Sequence, residues 1–207
     1  LVKNLSNLVK SGDTCIDIGA NLGYFTVPLS HLVGKEGKVL AVEPVQAFRQ
    51  VLEHNLAKYA LQNVEIFPFA LGEEDGATVE MVTPEVAGTM RHGRTSINTA
   101  GNSTNAAYTH KVTMRSPLEL FGHLSALNYL KCDVEGYEMH ILPQFMPLFE
   151  RFRPIIEVEA EPEENKTALF ELLKPLGYKM EILRNGKLQA FDPKKDADEI
   201  ELFFIPS

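Results

Sequence analysis

The run Thr14-Cys15-Ile16-Asp17-Ile18-Gly19-Ala20-Asn21-Leu22-Gly23 sets a short apolar strand directly against a glycine-bearing turn. Thr14 to Ile18 reads as a β-strand, and the residues beyond it put Leu22, Phe25, Leu29, Leu32 and Val33 on one helical face. Strand, glycine turn and helix in that order open an α/β sheet, whose ligand crevice lies at the carboxyl ends of its strands. Glycines there let the backbone turn tightly and approach a ligand, while the helix start offers N–H groups. The spacing is not the G-x-G-x-x-G of dinucleotide sites: Asn21 stands where the middle glycine would make room for a pyrophosphate. Asp17, just before the turn, sits badly near phosphates and would suit a cation.

Outward from this turn, short β-type runs alternate with helical patterns as far as residue 184, which predicts a mostly parallel sheet wrapped by helices. Lys38 to Glu43 is the second strand, followed by a helix expected to bury Phe48, Val51, Leu52, Leu56 and Tyr59. Val64 to Leu71 reads as a third strand broken by Pro68, and Thr78 to Val82 as an edge or hairpin strand. Residues 84–109, rich in Gly, Thr, Asn and Ser, lack periodicity and read as a long irregular loop, the kind that forms lids and binding loops. Leu127 to Asp133 and Arg153 to Glu159 are further strands. Between them runs a helix from about Gly136 that Pro143 and Pro147 should divide. Glu163 to Leu176 is an amphipathic helix closed by Gly177. Asn185-Gly186 signals a hairpin after Lys179 to Leu183, and Ile200 to Ile205 ends the chain in antiparallel pairing.

The composition bounds the rest. With 207 residues, 44% hydrophobic and 23% charged, the chain reads as one domain over 1–207. A domain of this size buries roughly 70% of its unfolded surface and needs no disulfide or structural metal. Net charge −8 and a pI near 5.3 argue against unaided nucleic-acid binding. No apolar run approaches the ~20 residues of a membrane span. The sequence starts at Leu1, so a targeting segment or partner domain upstream is left open. Cys15 and Cys132 fall on strands expected to be neighbours but on opposite faces, which points to buried thiols in a cytoplasmic enzyme.

Glu43-Pro44 ends the second strand 20 residues beyond Gly23. A carboxylate there accepts both hydroxyls of a ribose and repels a 2′-phosphate. S-adenosylmethionine meets these demands, having a ribose, an adenine, a sulfonium and no phosphate. Lys131-Cys132-Asp133-Val134-Glu135-Gly136-Tyr137-Glu138 closes the fourth main strand, with Lys131 and Asp133 on one face. Taken together, Asp17-Ile-Gly19-Ala-Asn21-x-Gly23, Glu43-Pro44, Ala70-Leu71-Gly72 and Lys131-x-Asp133-Val-Glu135-Gly136-x-Glu138 resemble the FkbM-type S-adenosylmethionine-dependent methyltransferases, over residues 12 to about 160. The resemblance implies a Rossmann-like class I methyltransferase fold: a mostly parallel seven-stranded sheet, helices on both faces, and an antiparallel C-terminal strand. It also implies methyl transfer to an oxygen of a sugar or natural product. By position, Asp17, Gly19, Ala20, Asn21 and Gly23 would line the methionine end, Glu43 with Pro44 the ribose, Ala70 and Leu71 the adenine, and Asp133 the sulfonium or amino group.

The sulfonium arrives activated, so the protein has to align an acceptor and handle one proton. A hydroxyl acceptor needs a base or a metal, and Asp133 and Glu135 are the candidates for the base or for orienting the acceptor. Glu135 reads equally as part of a turn, and Glu138 better as a helix cap. Lys131 reads as the salt-bridge partner of Asp133. His92, His110 and His140 are weaker base candidates, and Arg91 and Arg94 could clamp a substrate anion or simply be solvated. Glu157, Glu159 and Glu161 cluster near a strand end, but the Asp, Asp and Asn pattern of metal-dependent methyltransferases is not evident, so no metal ligands are assigned. Partners are then a small-molecule or glycan acceptor. Two other classes compete: an NAD-linked oxidoreductase, against which Asn21 counts, and a cofactor-binding module that has lost transfer.

Overall fold

The structure, a computed structural model, describes residues 2–86, 89–90, 94–98, 106–160 and 163–207. In chain order the elements are β1 (Thr14–Ile18), α1 (Thr26–Val33), β2 (Lys38–Val42), α2 (Gln46–Lys58), β3 (Val64–Phe67), β4 (Ala70–Leu71), β5 (Thr78–Val86), β6 (Thr89–Met90), β7 (Ser96–Ile97) and β8 (Ala106–Arg115). Then follow α3 (Pro117–Phe121), β9 (Tyr129–Cys132), α4 (Glu138–Ile141), α5 (Met146–Phe152), β10 (Ile155–Glu159), α6 (Glu163–Leu173), β11 (Tyr178–Arg184), β12 (Lys187–Ala190) and β13 (Glu201–Pro206).

The main sheet runs β12-β11-β13-β10-β9-β1-β2-β3. β3, β2, β1, β9 and β10 are parallel neighbours, and β13 is wedged antiparallel between β10 and β11. One strand more than the expected seven is present: β12, the second arm of the Asn185-Gly186 hairpin, where both turn residues take positive φ as a tight hairpin requires. Strand alternation loads both faces. Ile16, Leu40, Leu130, Ile156 and Phe204 pack on one face with α3 to α6, where Phe145 stacks between Phe121 and Phe149 at 5.9 and 5.7 Å. Full burial of each such ring contributes ~1.5–3 kcal/mol. Cys15, Val39, Tyr129 and Phe203 face the other way, against Leu29 and Val33 of α1 and Leu5 of the N-terminal turn. Cys15 and Cys132 are therefore buried thiols on opposite faces. The proline-bearing helix divides as its sequence requires, into α4, one turn of 3-10 helix over Leu142–Phe145, and α5.

Three expectations are corrected. Val64 to Leu71 is not one strand: β3 stops at Phe67, and beyond Pro68 the chain leaves the main sheet so that Ala70 and Leu71 pair parallel with Met114 and Arg115 of β8. The stretch 84–109 is not irregular throughout. β5 continues to Val86, β6 and β7 pair with it, and β8 starts at Ala106, making a second sheet ordered β4-β8-β5-β6. Polar residues on an edge-rich small sheet weaken the alternation, which survives at Val79, Met81 and Thr83 on β5 and at buried Val112 and Met114 on β8. Finally, α2 buries Phe48, Leu52 and Leu56, a stripe of spacing four, and leaves Val51 and Tyr59 exposed on its flanks.

Candidate functional site

The β1–α1 turn is shaped by close approach. At Gly19, φ is +82° and a Cβ would lie 1.9 Å from the Asp133 carbonyl oxygen, so glycine alone lets this turn press against the end of β9. The Gly19 and Ala20 N–H groups both donate to Val42 O, fastening the turn to β2 as well. Asn21 takes the left-handed conformation at φ +49°, which asparagine tolerates better than most residues. Helix α1 begins only at Thr26, so the turn and the helix start are separated by Tyr24 and Phe25.

Asp17 lies beneath the turn, 1% exposed, and accepts a 2.6 Å bond from Thr26 Oγ1. Burial raises its pKa to about 6 against the pull of Lys131. Glu43 is 4% exposed, and its Oε2 accepts from Asn21 N at 2.9 Å and its Oε1 from Val45 N at 2.8 Å. Burial pushes it up to about 7, although those two backbone bonds oppose the rise. Each carboxylate oxygen has two lone pairs, so this clamp fixes the group and still lets it accept from a ligand. At the end of β9, Lys131 Nζ is 2.8 Å from Asp133 Oδ2 and 4.4 Å from the centre of the Phe25 ring. Burial alone would lower the lysine pKa, but the Asp133, Asp17 and Glu157 carboxylates outweigh it and raise it.

The turn after Asp133 is bent through two positive φ values, +55° at Glu135 and +95° at Gly136. Fully buried Glu138 holds it, its Oε1 accepting from Gly136 N at 3.0 Å and from Val134 N at 3.4 Å, so it braces the turn ahead of α4 instead of capping the helix, whose N-cap residue is Tyr137. Glu135 stands at the rim. Loss of water around it and the charges of Asp133 and Glu159 raise its pKa to about 7, with Arg94 pulling the other way.

These pieces surround one cavity of about 610 Å³. Gly19, Ala20, Asn21, Gly23, Glu43, Pro44, Ala70, Leu71, Asp133 and Glu135 all line it; Asp17 does not, and acts from behind by tying Thr26 to the turn. The charged side chains among its described lining residues are all carboxylates: Glu43, Asp133 and Glu135. Such a wall fits a cationic, phosphate-free cofactor and opposes a pyrophosphate. The sequence reading missed Phe48, Tyr137 and Tyr59 as cavity residues, and from the small sheet and its approaches it found Ala70 and Leu71 but not Phe69, Met81, Thr95 and Ile97. Of the remaining candidates, Arg94 is exposed and off the cavity wall, His140 stacks on Tyr137 at 4.3 Å, and buried Glu157 accepts a hydrogen bond from Tyr129 OH. Arg91, His92 and Glu161 lie outside the described residues. Among the described residues no group of three or more His, Cys, Asp and Glu is arranged to hold a metal ion, and no helix is long and apolar enough to cross a membrane.

A sheet of this order, with one antiparallel strand wedged near its edge and an acidic crevice over β1, β2 and β9, is the Rossmann-like fold of class I methyltransferases. The chain belongs to the methyltransferase FkbM domain family, which it matches over residues 17–181. Among solved structures it resembles the FkbM methyltransferase of Methylobacillus flagellatus KT, with TM-score 0.62 and 15% identity over 96% of this chain and 45% of that one. It also resembles Aeropyrum pernix fibrillarin in complex with natively bound S-adenosyl-L-methionine, with TM-score 0.53 and 13% identity over 95% of this chain and 67% of that one. At these identities the likeness is one of fold. Protein-L-isoaspartate O-methyltransferases of Methanococcus aeolicus and Caenorhabditis elegans are 31% and 29% identical over 58 and 72 residues. Those stretches are 28% and 35% of this chain and span 27% and 32% of the two relatives.

Proposed function

We propose that this domain carries a methyl group from S-adenosylmethionine to a hydroxyl oxygen of a sugar or natural-product acceptor, with Glu135 taking the hydroxyl proton. The observation that carries the reading is Glu135 itself: a carboxylate at the cavity rim, on a left-handed turn locked by Glu138, with its pKa raised to about 7. A base works best when its pKa lies near the working pH, and a free carboxylate falls well short of that. When bound, S-adenosylmethionine supplies an electrophilic methyl on a sulfonium. In this reading Glu43 accepts the ribose hydroxyls, and Pro44, Phe48, Ala70 and Leu71, which line the same cavity, enclose the adenine. Asp133, fixed by Lys131, holds negative charge beside the glycine turn, where a sulfonium or amino group gains from it. The two buried thiols fit a reducing cytoplasm.

Glu135→Gln tests the assignment. The variant should bind S-adenosylhomocysteine like the parent by calorimetry and lose ~10²–10⁴-fold in kcat on a hydroxylated acceptor. Full turnover by that variant would take the proton away from Glu135. A parent protein that is stabilised by NADH and not by S-adenosylhomocysteine in a thermal-shift comparison would end the methyltransferase reading.

A further inference from the structure

Thr95 brings a hydroxyl to the stretch of cavity wall that Met81 and Ile97 otherwise make apolar. Behind it sits Thr83, fully buried, whose Oγ1 lies 2.8 Å from Thr95 Oγ1 and 3.3 Å from His110 Nε2. Three parts of the small sheet contribute: Thr83 from β5, Thr95 from the residue before β7, and His110 from β8. The Phe48 ring packs at 6.4 Å from the imidazole. Holding a threonine side chain in a fully buried position is costly unless its hydroxyl is bonded, and a valine would fill the same volume without that demand. The chain of hydroxyls is also directional. A hydroxyl donates once, so when His110 Nε2–H donates to Thr83, Thr83 donates to Thr95; the other imidazole tautomer reverses the run. His110 thereby fixes which way the Thr95 hydroxyl points.

The position of Thr95 ties this array to the chemistry. Thr95 and Glu135 line the same cavity, and Arg94, the residue before Thr95, acts on the Glu135 charge. The charged side chains among the described lining residues are carboxylates, which disfavours an anionic acceptor.

We propose that Thr95 is the acceptor-orienting contact: it hydrogen-bonds an oxygen of a neutral acceptor whose carbon skeleton packs on Met81 and Ile97, and Thr83 and His110 are its positioning residues. The assignment rests on the methyl-transfer reading and adds to it a second point of recognition besides Glu135. An acceptor held at two points has its reacting oxygen aligned, which is where positioning gains rate.

The test needs no identified acceptor. Sulfonium analogues of S-adenosylmethionine are made in which the methyl is replaced by n-alkyl or ω-hydroxyalkyl chains of two to five carbons, so that a tether carries one hydroxyl into the acceptor space. Calorimetry gives, for each protein, the affinity ratio of hydroxyalkyl to alkyl probe at each length. In the parent protein one length should favour the hydroxyl by about fivefold, the worth of one net hydrogen bond. Thr95→Val should abolish the preference and Thr95→Ser restore it; Thr83→Val and His110→Phe should bring it below about twofold, with His110→Gln retaining it. A merely structural role would weaken both probes alike and leave the ratio untouched. A preference missing from the parent at every length, or surviving in Thr95→Val, overturns the proposal and leaves cofactor binding standing. Failure of the parent to bind S-adenosylhomocysteine at all overturns both readings together.

Discussion

Replacing Gly19 with alanine separates two penalties that glycine avoids in this fold. The first is conformational: at φ +82° an L-residue pays ~1–2 kcal/mol. The second is steric. A Cβ at that point would lie 1.9 Å from the Asp133 carbonyl oxygen, a backbone atom with no rotamer to escape into, so the turn or the end of β9 has to move. Overpacking of this kind costs ~1–3 kcal/mol, which brings the total for Gly19→Ala to about 2–5 kcal/mol. Gly12 is the internal control, with φ +90° and nothing within 4 Å of the built Cβ, so Gly12→Ala bears the conformational penalty alone. A chain of this size loses ~2–4 °C of Tm per kcal/mol, so Gly12→Ala should fall by ~2–8 °C and Gly19→Ala by ~4–20 °C, the second always the larger. Calorimetry with S-adenosylhomocysteine completes the comparison, because displacement of Asp133 should weaken binding in Gly19→Ala by tenfold or so, about 1.4 kcal/mol, and leave Gly12→Ala alone. Equal Tm losses in the two variants, or undiminished affinity in Gly19→Ala, would refute the close-packing argument.

Two further outcomes follow from the buried charges. Glu43 has its folded pKa raised to about 7 from an ordinary 4.5, so its protonation favours the folded apo-protein: that stability is fully present below pH 4.5 and lost as pH rises to about 7. Urea titrations between pH 4.5 and 8 should show this slope, and Glu43→Gln should make it shallower, with buried Asp17 and rim Glu135, raised to about 6 and about 7, supplying part of the remainder. Lys131→Met strands three carboxylates around one buried site and should cost ~3–5 kcal/mol in urea unfolding; a loss under about 1 kcal/mol would mean that Lys131 is not the counterion of Asp133, Asp17 and Glu157.

Much of the main sheet was legible because its signals are local. Cys15-Ile16-Asp17-Ile18 alternates across two buried faces, Pro143 and Pro147 divide a helix wherever they occur, and Asn185-Gly186 specifies its own turn. The carboxylates of Glu43 and Asp133 were readable as cavity residues because a strand's carboxyl end has only one place to point in such a sheet. Asp17 shows the limit. One residue before a strand's end, alternation turns its side chain under the turn instead of into the crevice, and whether a partner such as Thr26 waits there depends on where α1 begins. The small sheet was legible only as the single strand Thr78 to Val82. Its pairings join Thr78 to Thr113 and Ala70 to Met114, contacts set by long-range register that no local window of sequence specifies.

Thr78 and Thr113 are paired neighbours, so the chain enters β5 and nears the end of β8 at nearly one point. Met81, Thr95 and Ile97, which line the cavity, and His110 behind them are strung between those two positions, whereas Glu43, Asp133 and Glu135 lie at or just past the ends of main-sheet strands. Loop-closure entropy grows only logarithmically with length, about 0.6 kcal/mol for each doubling. The stretch between the paired threonines can therefore be lengthened, shortened or exchanged as a cassette without altering the distance its flanks must span. On the reading proposed above, acceptor recognition and methyl-donor handling sit on separate stretches of chain, and a graft across Thr78 and Thr113 should transplant the first and leave the second in place.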